Sequence, residues 1–334
     1  MGCGSKIGSR DQVQSAITYL ASGYARPDPS ALIRLDLRSN QLTSVSAGLG
    51  ELTVLTRFEL GDNPLTSVPA EMGDVNALRA WRALSPELRA LWDESKPVTA
   101  WRGVTFGAAG GANAGRVVKI ELMNCHLTGD VPAALGALTA LEVVDLRRNF
   151  LMSVPAELGA LTALKTLDLH GNRLTSVPAA LGALTALETL DLNENKLTSV
   201  PAELGALTAL QTLILSKNQL TSVPAELGTL TTMKSLILSR NQLTSVPAEL
   251  GALTALRTLS LGGNQLTSVP AELGALTALA RLDLSWNQLT SVPTELGGLT
   301  ALTRLNLDGN WLTSFPAEWG EGGALDKSGC NILG

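Results

Sequence analysis

From Val117 onward the chain repeats one order of apolar and polar positions about every 23 residues. Each unit opens with L-x-x-L-x-L, passes a polar N-x-L, and closes with T-S-V-P-A-E-L-G-A-L-T-A. Segments beginning at Leu164, Leu187, Leu210, Met233, Leu256, Leu279 and Leu302 carry it with few changes. The segment from Leu141 has Met152 in place of Thr, and the one from Val117 is one residue longer. Two earlier units start at Leu32 and Leu55, which makes eleven. In L-x-L the side chains alternate, so both leucines share one face of a short strand. Pro at a first helical position and an acid in the first turn then favour a short helix or 3₁₀ start, which Gly ends. So small a unit cannot bury its leucines alone; stacking against neighbours gives a continuous core.

This pattern resembles the leucine-rich repeat family over roughly three quarters of the chain. The resemblance implies an α/β fold: a curved, horseshoe-like solenoid with a parallel sheet on the concave face and short helices or 3₁₀ turns on the convex one. The 23-residue length with S-V-P-A-E-L-G is similar to the intracellular Ras-group subclass, whose relatives include signalling scaffolds. A column of Asn runs through the units (Asn149, Asn172, Asn195, Asn218, Asn241, Asn264, Asn287, Asn310, with Asn40 and Asn63 earlier). Its carboxamides suit backbone groups left open where each strand turns away. Cys125 replaces it once.

The period breaks between residues 77 and 116. ALRAWRALSPELRALWDES reads as an amphipathic helix broken near Ser85–Pro86, and GAAGGANAG as a flexible linker. Trp101, Gly103, Val104 and Gly115–Val117 resemble the N-terminal cap of plant-type leucine-rich repeats, without the paired Cys of the secreted versions. The expected organisation is a tail and capping helix (1–31), two repeats (32–76), a cap-like insertion with linker (77–116), nine repeats (117–324) and a tail (325–334).

Composition narrows the function. With 25 basic and 30 acidic residues the net charge is −5, so there is no basic excess to displace counterions from nucleic acid. Three scattered cysteines are no disulfide scaffold, and no N-x-[ST] acceptor occurs. No apolar run is long enough to span a bilayer. A cytoplasmic home follows as the expectation, extended to the inner face of the plasma membrane if Gly2 and Cys3 are acylated. Against that, Lys6 stands where the acylation pattern wants Ser or Thr. There is no P-loop, H-E-x-x-H, C-x-x-C or nucleophile elbow. No cofactor, no metal and no enzymatic activity are expected.

Where the scaffold is constant, function falls to the residues that vary. The middle position of L-x-L reads Glu121, Asp145, Asp168, Asp191, Ile214, Ile237, Ser260, Asp283 and Asn306. Neighbouring carboxylates one strand apart repel by roughly 0.8 kcal/mol in water-like dielectric. A basic partner relieves this, or internal cations do: Lys119, Arg147, Arg148 and Lys165 are in reach. Ile214 and Ile237 form an apolar contact patch or merely satisfy strand propensity. The next columns add Arg147, His170, Asn193 and Asp308, then Arg148, Lys217, Arg240 and Trp286, with Trp311 near the same edge. The two tryptophans are hot-spot candidates or end packing. The expected function is a non-catalytic scaffold holding a protein partner on the concave face. A small GTPase is the partner that the Ras-group resemblance implies. The alternatives are a pathogen or stress recognition module, or a targeting subunit of an enzyme such as a phosphatase.

Overall fold

The computed structural model describes residues 34–36, 57–59, 70–96, 98–108, 111–314, 316, 319 and 331–333. The expected N-terminal capping helix, Gly2, Cys3 and most of the tail lie outside them. The chain forms two compact units, residues 1–121 and 122–334.

In the first unit, strands β1 (Arg34–Asp36) and β2 (Arg57–Glu59) pair in parallel. The broken helix follows as α1 (Ala70–Leu84) and α2 (Pro86–Leu91). Ser85 caps α2 by accepting the Leu88 N–H, and Pro86 sits where no N–H is missed. Strands β3 (Val104–Phe106) and β4 (Val117–Glu121) are antiparallel. Three indoles make the core: Trp92 stacks on Trp101 at 4.9 Å and meets Trp81 edge-on at 5.9 Å. The Trp92 and Trp101 indoles donate to the carbonyls of Arg102 and Asp93, so neither N–H is left unpaired. Asp74, wholly buried, accepts from Arg116 at 2.9 Å and from the Val117 N–H at 2.7 Å, tying helix to strand.

The second unit is the repeat array. Its first short strands are β5 (Thr128–Asp130), β6 (Val143–Asp145) and β7 (Phe150–Ser153); β5 and β7 pair with each other. Strand β6 continues into a parallel series with β8 (Thr166–Asp168), β9 (Thr189–Asp191), β10 (Thr212–Ile214) and β11 (Ser235–Ile237). The series goes on through β12 (Thr258–Ser260), β13 (Arg281–Asp283), β14 (Arg304–Asn306) and β15 (Asn331–Leu333). The closing half of each unit folds as a 3₁₀ helix of five residues, such as Ala202–Ala206 and Ala225–Thr229, each preceded by its Pro. Both leucines of L-x-L are buried in unit after unit. The result is a solenoid with a parallel sheet on one face and 3₁₀ turns on the other.

Two columns hold the stack in register. Asn218 donates to the carbonyls of Leu192 (2.9 Å) and Leu215 (3.0 Å) and accepts the Leu197 N–H at 3.0 Å. Asn172, Asn195, Asn241, Asn264 and Asn287 repeat this set one unit along. Cys125 lacks a carboxamide, and its own N–H is taken by Asn149. On the turn side, a Cβ at Gly228 would overlap the backbone carbonyl of Glu249, and most other units repeat the same close approach. Only glycine lets the turns pack at the spacing that the strands impose.

Replacing Asn218 by Ala strands two buried carbonyls and a buried N–H, a cost of about 2–4 kcal/mol. Urea unfolding should show that loss, while Gln219→Ala, at an exposed neighbour, stays within about 0.5 kcal/mol of wild type. Equal effects would contradict the ladder.

Candidate functional site

The outward side of the sheet is where the units differ. Strand register places Asp145 beside Asp168, Asp168 beside Asp191, Asp191 beside Ile214, and Ile214 beside Ile237. It continues through Ser260 and Asp283 to Asn306. From Asp145 to Asn306 the middle column therefore lies along one face, half-buried between fully buried leucines. Glu121 ends β4 in the other unit, exposed.

The acidic run is relieved from within. Arg147 lies 3.1 Å from Asp145 and 3.6 Å from Asp168. Each Asp also accepts the N–H two residues on: Asp145 from Arg147, Asp168 from His170, Asp191 from Asn193. These bonds close the turn at the strand exit, a local reason for Asp that spacing alone did not reveal. Asp283 and Asn306 do the same for Ser285 and Asp308. Of the other cations named for relief, Lys165 pairs with Glu142 at 2.8 Å, off the run. Burial raises the Asp168 and Asp191 carboxyls above the usual range, and for Asp168 its two acidic neighbours add to that.

Beyond the strands a polar chain runs across three units. Ser216 donates to Asn193 Oδ1 at 2.7 Å, so the Asn193 amide group faces His170 Nδ1, also at 2.7 Å. That order makes Nδ1 the acceptor and leaves the ring proton on Nε2, 3.6 Å from Glu194. Glu194 also pairs with Lys217 at 3.1 Å, which lowers its carboxyl.

One position per unit, just before the ladder Asn, is left-handed. Arg148, Glu194, Lys217, Arg240 and Trp286 have φ between 51° and 56°, and Gly171, Gly263 and Gly309 fill it elsewhere. Where glycine follows, the previous side chain covers it: Arg148 over Gly171, Arg240 over Gly263, the Trp286 indole over Gly309. Trp286 and Trp311 are 72% and 63% exposed.

A family profile for the leucine-rich repeat region matches residues 113–243 and 180–289. The chain belongs to the leucine-rich repeat family. No curated protein sequence matches it. Among solved structures, a leucine-rich repeat protein of Leptospira interrogans is 28% identical with a TM-score of 0.50, covering 89% of this chain and 83% of that one. The Arabidopsis receptor kinase HAESA ectodomain, solved with an N-terminally extended IDA peptide hormone, is 32% identical with a TM-score of 0.63. That likeness covers 74% of this chain and 42% of HAESA's. The Arabidopsis GASSHO1/SCHENGEN3 ectodomain, solved with CASPARIAN STRIP INTEGRITY FACTOR 2, is 32% identical with a TM-score of 0.60, over 70% and 32%. The chain thus spans less than half the length of these plant ectodomains.

This leucine-rich repeat chain is of a fold typical of protein-binding modules. Among the described residues no cluster of His, Cys, Asp or Glu could hold a metal, and no helix is long and apolar enough to cross a membrane.

The raised carboxyls give a pH test. A carboxyl whose folded pKa lies above its unfolded one costs stability when ionised, and the cost vanishes once both states are protonated. Asp191→Asn should therefore melt higher than wild type at pH ~7, and the difference should close as pH falls towards ~3.5. Melting curves across that range check it; a wild type more stable at neutral pH would contradict it.

Proposed function

We propose that this protein is a non-catalytic binding module that holds a protein partner on the outward face of its sheet. The observation that carries this reading is the contrast between columns. Leu, Asn and the turn glycines repeat almost without change, while the register-matched outward column passes from Asp145, Asp168 and Asp191 through Ile214 and Ile237 to Asp283. A scaffold that needed only to stack would leave those positions equivalent. The candidate contacts are this column with Arg147, Arg148, His170, Asn193, Lys217, Arg240, Trp286, Asp308 and Trp311. Ile214 and Ile237, side by side and half-exposed, supply the apolar centre.

A small GTPase or signalling enzyme in the cytoplasm is the partner class suggested by the 23-residue unit. Sparse cysteine and the absence of an N-x-[ST] acceptor support that compartment. Recognition of a peptide signal is the second reading, favoured by the likeness to plant ectodomains solved with peptides.

Proximity labelling tests the proposal. Ile214→Ser with Ile237→Ser should remove the labelled partners about ten-fold, which is about 1.4 kcal/mol, without lowering the melting temperature. Glu226→Gln with Glu249→Gln, on the turn side, should leave them in place. Equal recovery from both variants would overturn the sheet face as the binding surface.

A further inference from the structure

The outward face of the array carries charge at both ends, and the two ends are satisfied differently. At the β6–β9 end Arg147 spans Asp145 and Asp168, and every Asp accepts a backbone N–H. At the β13–β14 end Arg281 and Arg304 stand in register on adjacent strands, both exposed. Arg240 lies exposed on the far edge. Among the described residues no ion pair involves any of the three; Arg281 has a long 3.4 Å contact to the Thr258 hydroxyl. Like charges directly opposite across a strand pair destabilise it. The acid end relieves that repulsion with ion pairs, whereas at the basic end Asp283 lies beside the cations but is within ion-pair distance of none of them.

Two recesses open beside these cations. One, about 270 Å³, is lined by Ser260, Arg281, Asp283, Arg304 and Asn306. The other, about 460 Å³, lies among Arg240, Gly262, Gly263, Asp283 and Trp286. They share the Asp283 wall. The Gly262–Gly263 floor has no side chains of its own, because this unit has glycine where its neighbours carry Ser239–Arg240 and Ser285–Trp286; Asp283 and Ser285 pack against Gly262, and Arg240 lies over Gly263. Trp286 shares the left-handed backbone of its column, and its indole, lying over Gly309 on one side, is still 72% exposed.

Resting on the protein-binding reading above, we infer that the β12–β14 face docks an extended, acidic segment of the partner. Two of its carboxylates sit on Arg281 and Arg304, a third reaches Arg240, and an apolar side chain between them covers Trp286. Alternate residues of an extended chain recur on one side at about 7 Å, within reach of two guanidinium arms on neighbouring strands. A nucleic acid fits less well. Asp283 lines both recesses beside the cations and would repel an unbroken row of phosphates, whereas a peptide spaces its carboxylates with neutral residues. The acidic run, paired internally through Arg147, is not where this acidic segment docks.

The test is fluorescence polarisation on the full chain with two labelled ten-residue peptides, one alternating Glu with Leu and Phe, the other with Lys replacing Glu. The Glu peptide should bind, weaken as salt rises, and lose about ten-fold in affinity with Arg281→Gln plus Arg304→Gln at an unchanged melting temperature. Trp286→Ala should also weaken it, and Glu226→Gln plus Glu249→Gln, on the turn side, should not. Equal binding by the arginine variant would overturn the assignment. So would full displacement by millimolar inorganic phosphate, which would mark a small-anion site, or Arg-dependent capture by phosphatidylserine vesicles in place of the peptide. Binding of the Lys peptide alone, abolished by Asp145→Asn plus Asp168→Asn, would sink this inference and leave the sheet face standing as a protein-binding surface.

Discussion

One carboxamide per unit closes backbone hydrogen bonds that two units share, and the rest of the array depends on it. Where each strand ends, carbonyls and an N–H are carried inside, away from water. Leaving them unpaired would cost more than any single leucine contact returns. Asn218 meets the carbonyl of its own unit with that of the unit before, and takes an N–H from the unit before as well. The bond set can close in one relative placement only. Repeated at each step, it locks neighbouring units at a single register, and the leucines follow into the core.

A locked register has a functional consequence. Side chains 23 residues apart in sequence become immediate neighbours, so the chain composes a surface from single positions drawn from many units. It can place two arginines in contact range, or set three carboxylates in a line with one arginine across two of them, without altering the fold. The left-handed position before each ladder Asn extends this. It turns one side chain per unit along the array instead of away from it, so Arg148, Arg240 and Trp286 each lie over a glycine of the next unit. At Trp286 an exposed indole and a left-handed backbone coincide, beside cations that form no ion pair among the described residues.

Much of this was legible in the residues. Period-two leucines within a 23-residue repeat imply a short strand, and the Asn column implies a ladder, because both are properties of one unit multiplied. Column neighbours such as Asp168 and Asp191 could be read from the repeat length alone. What stayed hidden depends on side-chain reach and backbone sign. That Asp145, Asp168 and Asp191 close turns at the strand exits, and that Arg147 spans two of them, required coordinates. The left-handed column did leave a trace: Gly171, Gly263 and Gly309 occupy it in turn with long side chains. The Arg281–Arg304 pair was equally visible, two positions before the column that drew attention. In the first unit, the indole cluster and the buried Asp74 have no repeat to reveal them.

Cysteine pairing tests the register most directly. In an otherwise cysteine-free chain, Ile214→Cys with Ile237→Cys places two thiols on adjacent in-register strands, with Cα atoms about 5 Å apart, inside the range a disulfide spans. Under mild oxidation this pair should form a disulfide quantitatively and keep the melting temperature. Ile214→Cys with Ser260→Cys, two strands apart at about 10 Å, should stay reduced. Bridging of the second pair in preference to the first would mean that the units do not stack in this register, and the outward surface would have to be redrawn.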